Sequence, residues 1–204
     1  MLSNKEIRAL SWKQLKSSYW MIFVMLILFG VIMGALSSIG VGFILMGPGL
    51  VGLSAYLLDV ITNKENSDGS KFDVIVDGFK DSFVNSLVAY LLSNIFLFLW
   101  GLLLVIPGII KSYSYSQIYY IIRENPEIGP MEAIDKSREM MDGKKGKLFM
   151  LDLSFIGWYL LGLLAFGVGV IFVVPYHRLA RANFYNELRE KPTPTWNEEF
   201  QEEF

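Results

Sequence analysis

Residues 20–39 read WMIFVMLILFGVIMGALSSI, twenty consecutive positions without a charged side chain. An α-helix rises about 1.5 Å per residue, so a run of roughly 20 apolar residues crosses the hydrocarbon core of a bilayer. Lys5, Arg8, Lys13 and Lys16 precede it. A cleaved leader competes with this reading, because Ala35-Leu36-Ser37 resembles a small-residue cleavage site. The apolar core of a leader is only about 7–15 residues long, however. The stretch is therefore read as an uncleaved first membrane span.

The rest of the chain agrees. Of its 204 residues, 53% are hydrophobic, 15% aromatic and only 19% charged, where a soluble domain carries about 25% charged residues. Mean hydropathy is +0.41. The net charge of −2 excludes a strongly basic nucleic-acid binder. With no Cys and one His, His177, thiolate chemistry is absent and a metal centre is not expected. No cofactor is expected either.

Further apolar runs cover Phe43 to Ile61, interrupted by Gly47-Pro48-Gly49, and Ser86 to Ile106, closed by Pro107-Gly108. Ile109 to Ile122 is apolar but studded with Ser and Tyr. Leu148 to Val174 is too long for one upright crossing and is split at Gly167-Val168-Gly169, the last helix continuing through Pro175 to about Glu190. Six helices in three hairpins result. Segments 1–18, 62–85, 123–147 and 176–204 hold 4, 3, 6 and 4 of the 18 basic residues, leaving only Lys111 elsewhere. Lys and Arg collect in cytoplasmic loops, so both termini and both long loops are placed inside. Five spans would put Arg178, Arg181, Arg189 and Lys191 outside, against that rule.

Self-similarity at a fixed offset marks a duplicated unit. Pro48-Gly49 recurs as Pro107-Gly108, Tyr56 as Tyr115, and Lys64-Glu65-Asn66 as Arg123-Glu124-Asn125. Farther on, Arg123-Glu124 recurs as Arg189-Glu190. The expected fold is thus all-α: one membrane domain over residues 1–190, in three parallel units at about 3–66, 70–125 and 130–190. Residues 191–204, with Pro192, Pro194 and four Glu, are expected to form a disordered cytoplasmic tail.

An amphipathic helix is expected before each hairpin. Phe72, Ile75, Val76, Phe79 and Phe83 share one helical face. Met131, Ile134 and Met141 mark another such stripe, with Pro130 suited to a first turn and Gly143 to a stop. Ser3 and Glu6 form a capping box ahead of Ile7 and Leu10.

Several motifs carry a family resemblance. They are Ile106-Pro107-Gly108-Ile109-Ile110-Lys111, Tyr113-Ser114-Tyr115, the run from Asn125-Pro126 to Ala133, Ser137-Arg138-Glu139-Met140-Met141, Gly143 and Lys145. Leu148-Phe149, Leu151-Asp152-Leu153-Ser154-Phe155-Ile156-Gly157-Trp158 and Pro175-Tyr176 follow. The chain resembles the bacterial integral-membrane family called domain of unknown function 975, most strongly over residues 95–190. The resemblance implies a multi-helix protein of the bacterial cytoplasmic membrane and supplies no catalytic residues. A looser likeness of hairpin pattern connects the chain to the membrane domain of glycerophosphodiester phosphodiesterases, whose soluble catalytic domain it lacks.

Polar groups at membrane depth normally face protein or a water-filled cavity. Lys111, Ser114, Tyr115 and Gln117 are therefore candidates for an ion or headgroup site, interhelical hydrogen bonding being the plainer explanation. His177, Arg178 and Arg181 cluster near the inner end of the last helix, where Arg either binds phosphate or snorkels. Asp59 and Asp152 are expected to form ion pairs near the inner boundary. Pro48, Pro107 and Pro175 are candidate helix breaks, able to aim a helix N-terminus at an anion or simply to shape packing. Gly30 and Gly34, together with Gly47, Gly49 and Gly52, suggest close helix contacts. No Ser-His-Asp set, phosphate loop or metal motif appears. The expected role is a non-enzymatic membrane component binding lipid or a protein partner, with a small transporter or channel as the alternative and a lipid-acting enzyme third.

Overall fold

The computed structural model describes residues 2–38, 40–62, 82–103, 105–164 and 168–189. Among these the regular structure is entirely helical. The helices are α1 (Asn4–Ser38), α2 (Val41–Thr62), α3 (Phe83–Leu103), α4 (Val105–Ser114), α5 (Ile118–Glu124), α6 (Pro130–Met140), α7 (Lys145–Leu153), α8 (Ile156–Leu164) and α9 (Val168–Leu188). Residues 72–81 of the expected second amphipathic helix and the tail 191–204 lie outside the described residues.

Four stretches are long and apolar enough to cross a membrane: Ser18–Ser38, Val41–Thr62, Phe83–Leu102, and Lys145–Leu164 across α7 and α8. α4 has only 10 residues. α9 carries His177, Arg178 and Arg181 from its middle onward, which keeps it outside that set.

Local chemistry explains the helix ends. Ser3 and Glu6 form the expected reciprocal cap: the Ser3 N–H donates to the Glu6 carboxylate and the Glu6 N–H to Ser3 Oγ at 3.2 Å. α1 bends at Ser18 (φ −130°, ψ 19°), dividing an amphipathic segment from the apolar one. Pro130 opens α6, where a missing N–H is harmless, and Gly143 lies beyond its end at φ +65°. The buried stripe of α6 is Ala133, Ile134 and Ser137, continued by Met141, while Met131 is exposed. Met131 is thus displaced from the expected stripe, because Ser137 is held inward by hydrogen bonds described below.

The breaks also differ from expectation. α2 runs unbroken through Pro48 and α9 through Pro175, while Pro107 sits within the first turn of α4. Two interruptions with no proline at all occur instead, at Tyr115–Gln117 and at Ser154–Phe155.

Packing divides the described residues into two bodies. One comprises Met1–Leu26, Leu57–Ser70 and Met150–Phe204; the other comprises Ile27–Tyr56 and Lys71–Phe149. In the first, α8 and α9 meet at two glycines. A Cβ on Gly162 would lie 2.7 Å from the Val170 nitrogen, and one on Gly169 2.7 Å from the Gly162 Cα. The amphipathic segment of α1 lies along α9, buried through Ile7, Leu10 and Leu15. Tyr176 donates its hydroxyl proton to the Arg8 carbonyl at 2.9 Å, and Asn183 Nδ2 donates to Gln14 Oε1 at 2.6 Å and to Ser11 Oγ at 3.1 Å.

In the second body, α3 packs against α4 and α6, and α5 against α6. The α3–α4 pair repeats the glycine device, a Cβ on Gly108 falling 3.2 Å from the Gly101 Cα. Gly47 of α2 meets α3, where a Cβ would lie 2.8 Å from Tyr90 Cβ. Gly30 and Gly34 differ: a Cβ on either meets nothing within 4 Å. Their expected close contact does not occur among the described residues.

Candidate functional site

Asp152 is the one acidic residue inside the apolar stretch of α7 and α8. An ionised carboxylate there requires partners, because unpaired charge in an apolar setting is costly. α9 supplies them. His177 and Arg181 are four residues apart and so share a helical face. Arg181 Nε donates to Asp152 Oδ1 at 3.0 Å, and Arg181 Nη2 donates to Oδ2. This is the two-pronged arrangement that makes Arg–carboxylate pairs strong and directional.

His177 completes the site. Its Nε2 lies 2.7 Å from Asp152 Oδ1, and its Nδ1 lies 2.8 Å from the Tyr159 hydroxyl. A carboxylate only accepts, so Nε2 carries the proton that faces it. In the neutral ring Nδ1 then accepts from Tyr159; in the charged ring Nδ1 donates instead. The four groups form one chain, Tyr159–His177–Asp152–Arg181, linking α8, α9 and α7. The Asp152 side chain keeps only 14% of its exposure and His177 19%. Phe155, fully buried, stacks on the His177 ring with centroids 4.8 Å apart, and meets Tyr176 edge-on at the same distance. The turn at Ser154–Phe155 lets a single connected segment send Asp152, Phe155 and Tyr159 to the same face of α9.

Arg181 was expected near a phosphate or snorkelling; its guanidinium is instead turned to Asp152. Arg178, one residue after His177, is exposed. The sequence pointed to His177, Arg181 and an ion pair at Asp152, but not to Tyr159. The signal available was spacing: Asp152 and Tyr159 are seven apart, two helical turns, facing a His177–Arg181 pair four apart.

The fourth-helix candidates lie in the other body. Ser114 and Gln117 are each 2% exposed and Tyr115 7%. At the turn between α4 and α5, the Ser114 carbonyl leaves the helical ladder. The Ser137 hydroxyl of α6 donates to it at 2.7 Å and accepts the Gln117 N–H at 3.3 Å. Gln117 Nε2 donates to Ser116 Oγ at 2.9 Å and approaches the Met141 sulfur at 3.5 Å, while Tyr115 faces Phe96. Ser137 therefore replaces a helix hydrogen-bond partner at the break, a role without any local signal in the sequence. Lys111 stands apart, its ammonium 4.8 Å from the Trp100 ring centroid, a cation–π contact. Among the described residues there is no group of three or more acidic or His side chains placed to hold a metal ion.

Described residues whose regular structure is all helical, with four stretches that suit a membrane and a buried ionic chain on one apolar hairpin, define a helical membrane protein. Residues 101–192 match the family described as protein of unknown function (DUF975), so the resemblance expected from the sequence holds over this part of the chain. The matched region contains Lys111, the α4–α5 turn, Ser137 and all four members of the Tyr159–Arg181 chain. The likeness to glycerophosphodiester phosphodiesterases is not shown. No curated protein and no solved structure matches the chain.

Proposed function

We propose that the protein is a non-enzymatic component of the bacterial cytoplasmic membrane, which works through contact with membrane lipid. In this reading it crosses six times, as three parallel hairpins with both termini inside. The observation that carries it is where the large apolar side chains lie. Phe98, Leu102 and Ile106 are more than 70% exposed, as is Leu164 at 80%. Exposed apolar surface of this extent needs a nonaqueous neighbour, and bilayer hydrocarbon meets that need along whole helices.

The hairpin count draws support from α4 and α9. Each pairs with its preceding helix at a glycine contact, Gly101–Gly108 and Gly162–Gly169, with the same seven-residue spacing. Pairing of Asp152 with Arg181 offsets the cost of carrying charge within α7 and α9. A transport path along the fourth helix draws less support, since the Ser114 carbonyl and the Gln117 N–H are both taken up by the Ser137 hydroxyl of α6.

Topology is tested by introducing Cys at Ser3 and at Asn197 of this Cys-free chain. In intact cells both resist an impermeant thiol reagent, and both react after the membrane is permeabilised. Labelling of one alone in intact cells would refute six crossings.

A further inference from the structure

The amphipathic segment of α1 has two faces with different fates. Ile7, Leu10, Ser11, Gln14 and Leu15 are buried, and Ser11 and Gln14 are bonded to Asn183 of α9. The Leu2 N–H also donates to Glu187 Oε2 at 2.9 Å. That face is fixed, so the opposite one is held outward in a defined direction. At about 100° per residue, Lys5, Ala9, Trp12, Lys13 and Lys16 fall within a third of the helix circumference, and Trp20 follows just beyond the bend at Ser18. All six are exposed, Trp12 at 46% and Trp20 at 68%.

The stripe combines three ammonium groups with two indoles, and it leads into the apolar stretch that begins at Ser18. Lys16 Nζ lies 5.7 Å from the Trp12 ring centroid, so charge and ring are adjacent. The neighbouring acidic residue, Glu6, turns back to the Ser3 N–H as a cap. We propose that this stripe is a binding surface for the headgroups of anionic phospholipids in the inner leaflet. Resting on the membrane reading above, the proposal names the lipid class recognised. Indole rings settle at headgroup level, where an apolar body and an N–H donor are both accommodated. Lysines beside them attract anionic headgroups. An acidic soluble protein would use the lysines but leave Trp12 and Trp20 against water.

The test uses the full chain purified in a neutral detergent, with thermal midpoint followed as lipid is titrated. Phosphatidylglycerol is expected to raise the midpoint at concentrations at least tenfold below those at which phosphatidylcholine acts. The variant K5Q/K13Q/K16Q loses about fivefold in apparent affinity per lysine, whereas K5R/K13R/K16R keeps the response. Inorganic phosphate and polyaspartate at matched charge produce no shift. Equal responses to the two lipids would overturn the proposal. So would an unchanged glutamine variant, an arginine variant as impaired as the glutamine one, or a shift by polyaspartate as large as that by phosphatidylglycerol. Failure of the membrane reading itself would show differently, as a chain that stays in solution without detergent and does not sediment with vesicles.

Discussion

Removing the Asp152 carboxylate leaves the Arg181 guanidinium inside the hairpin without its counter-charge, and removes the acceptor for His177 Nε2. Breaking a buried pair by deleting one member costs about 3–5 kcal/mol. Arg181 retains 34% of its side-chain exposure, so water relieves part of the penalty, and the lower end, about 3 kcal/mol, applies. For a chain of this size, each kcal/mol moves the thermal midpoint by about 2–4 °C. Asp152→Ala should therefore lower the midpoint of the purified protein by roughly 6–12 °C. Arg181→Met should do likewise, since it strips the two-pronged guanidinium pairing from Asp152. The double variant Asp152→Leu/Arg181→Met removes both charges together and should fall less than either single variant, with a coupling of at least about 1 kcal/mol. Detergent-solubilised protein followed by helical circular dichroism provides the readout. Single variants shifted by less than about 2 °C, or a double variant equal to the sum of the two, would show that the ionic pair does not hold the hairpin.

Two further outcomes follow from the packing. Gly162→Leu should destabilise the α8–α9 hairpin by about 1–3 kcal/mol, because its new Cβ meets backbone atoms at 2.7 Å, whereas Gly30→Leu, with open space around it, should leave the midpoint within error; the same thermal scan compares them. Ser137→Ala should cost about 1–3 kcal/mol by leaving the buried Ser114 carbonyl unsatisfied, with faster amide hydrogen exchange confined to residues around the α4–α5 turn. Unchanged exchange there would mean that Ser137 does not secure the break.

The helical class was legible because it depends on properties that act along the chain. Hydrophobic length selects a membrane-crossing helix, and Ser3 with Glu6, or Pro130 with Gly143, marks a helix end through bonds that close within a few residues. The breaks were less legible. Proline at 48, 107 and 175 suggested interruption, but α2 and α9 accommodate theirs. The actual turns at Tyr115–Gln117 and Ser154–Phe155 carry no comparable local signal. At the first of them, a hydroxyl twenty residues downstream satisfies the freed backbone. Gly30 and Gly34 show the same limit, since a small-residue pair permits close approach without supplying a neighbour.

Sequence alone determined that this chain is a helical membrane protein, that all its Lys and Arg but Lys111 gather in four segments, and that Asp152 needed a basic partner. Tertiary structure decided that the partner is Arg181, that His177 bridges Asp152 to Tyr159, and that the Ser137 hydroxyl meets the Ser114 carbonyl. The reason is geometric. Periodicity fixes which residues share a face of one helix, but the rotation and offset between helices decide which faces meet. Those depend on glycine contacts such as Gly162 with Gly169, which bring two backbones close enough for their side chains to choose partners.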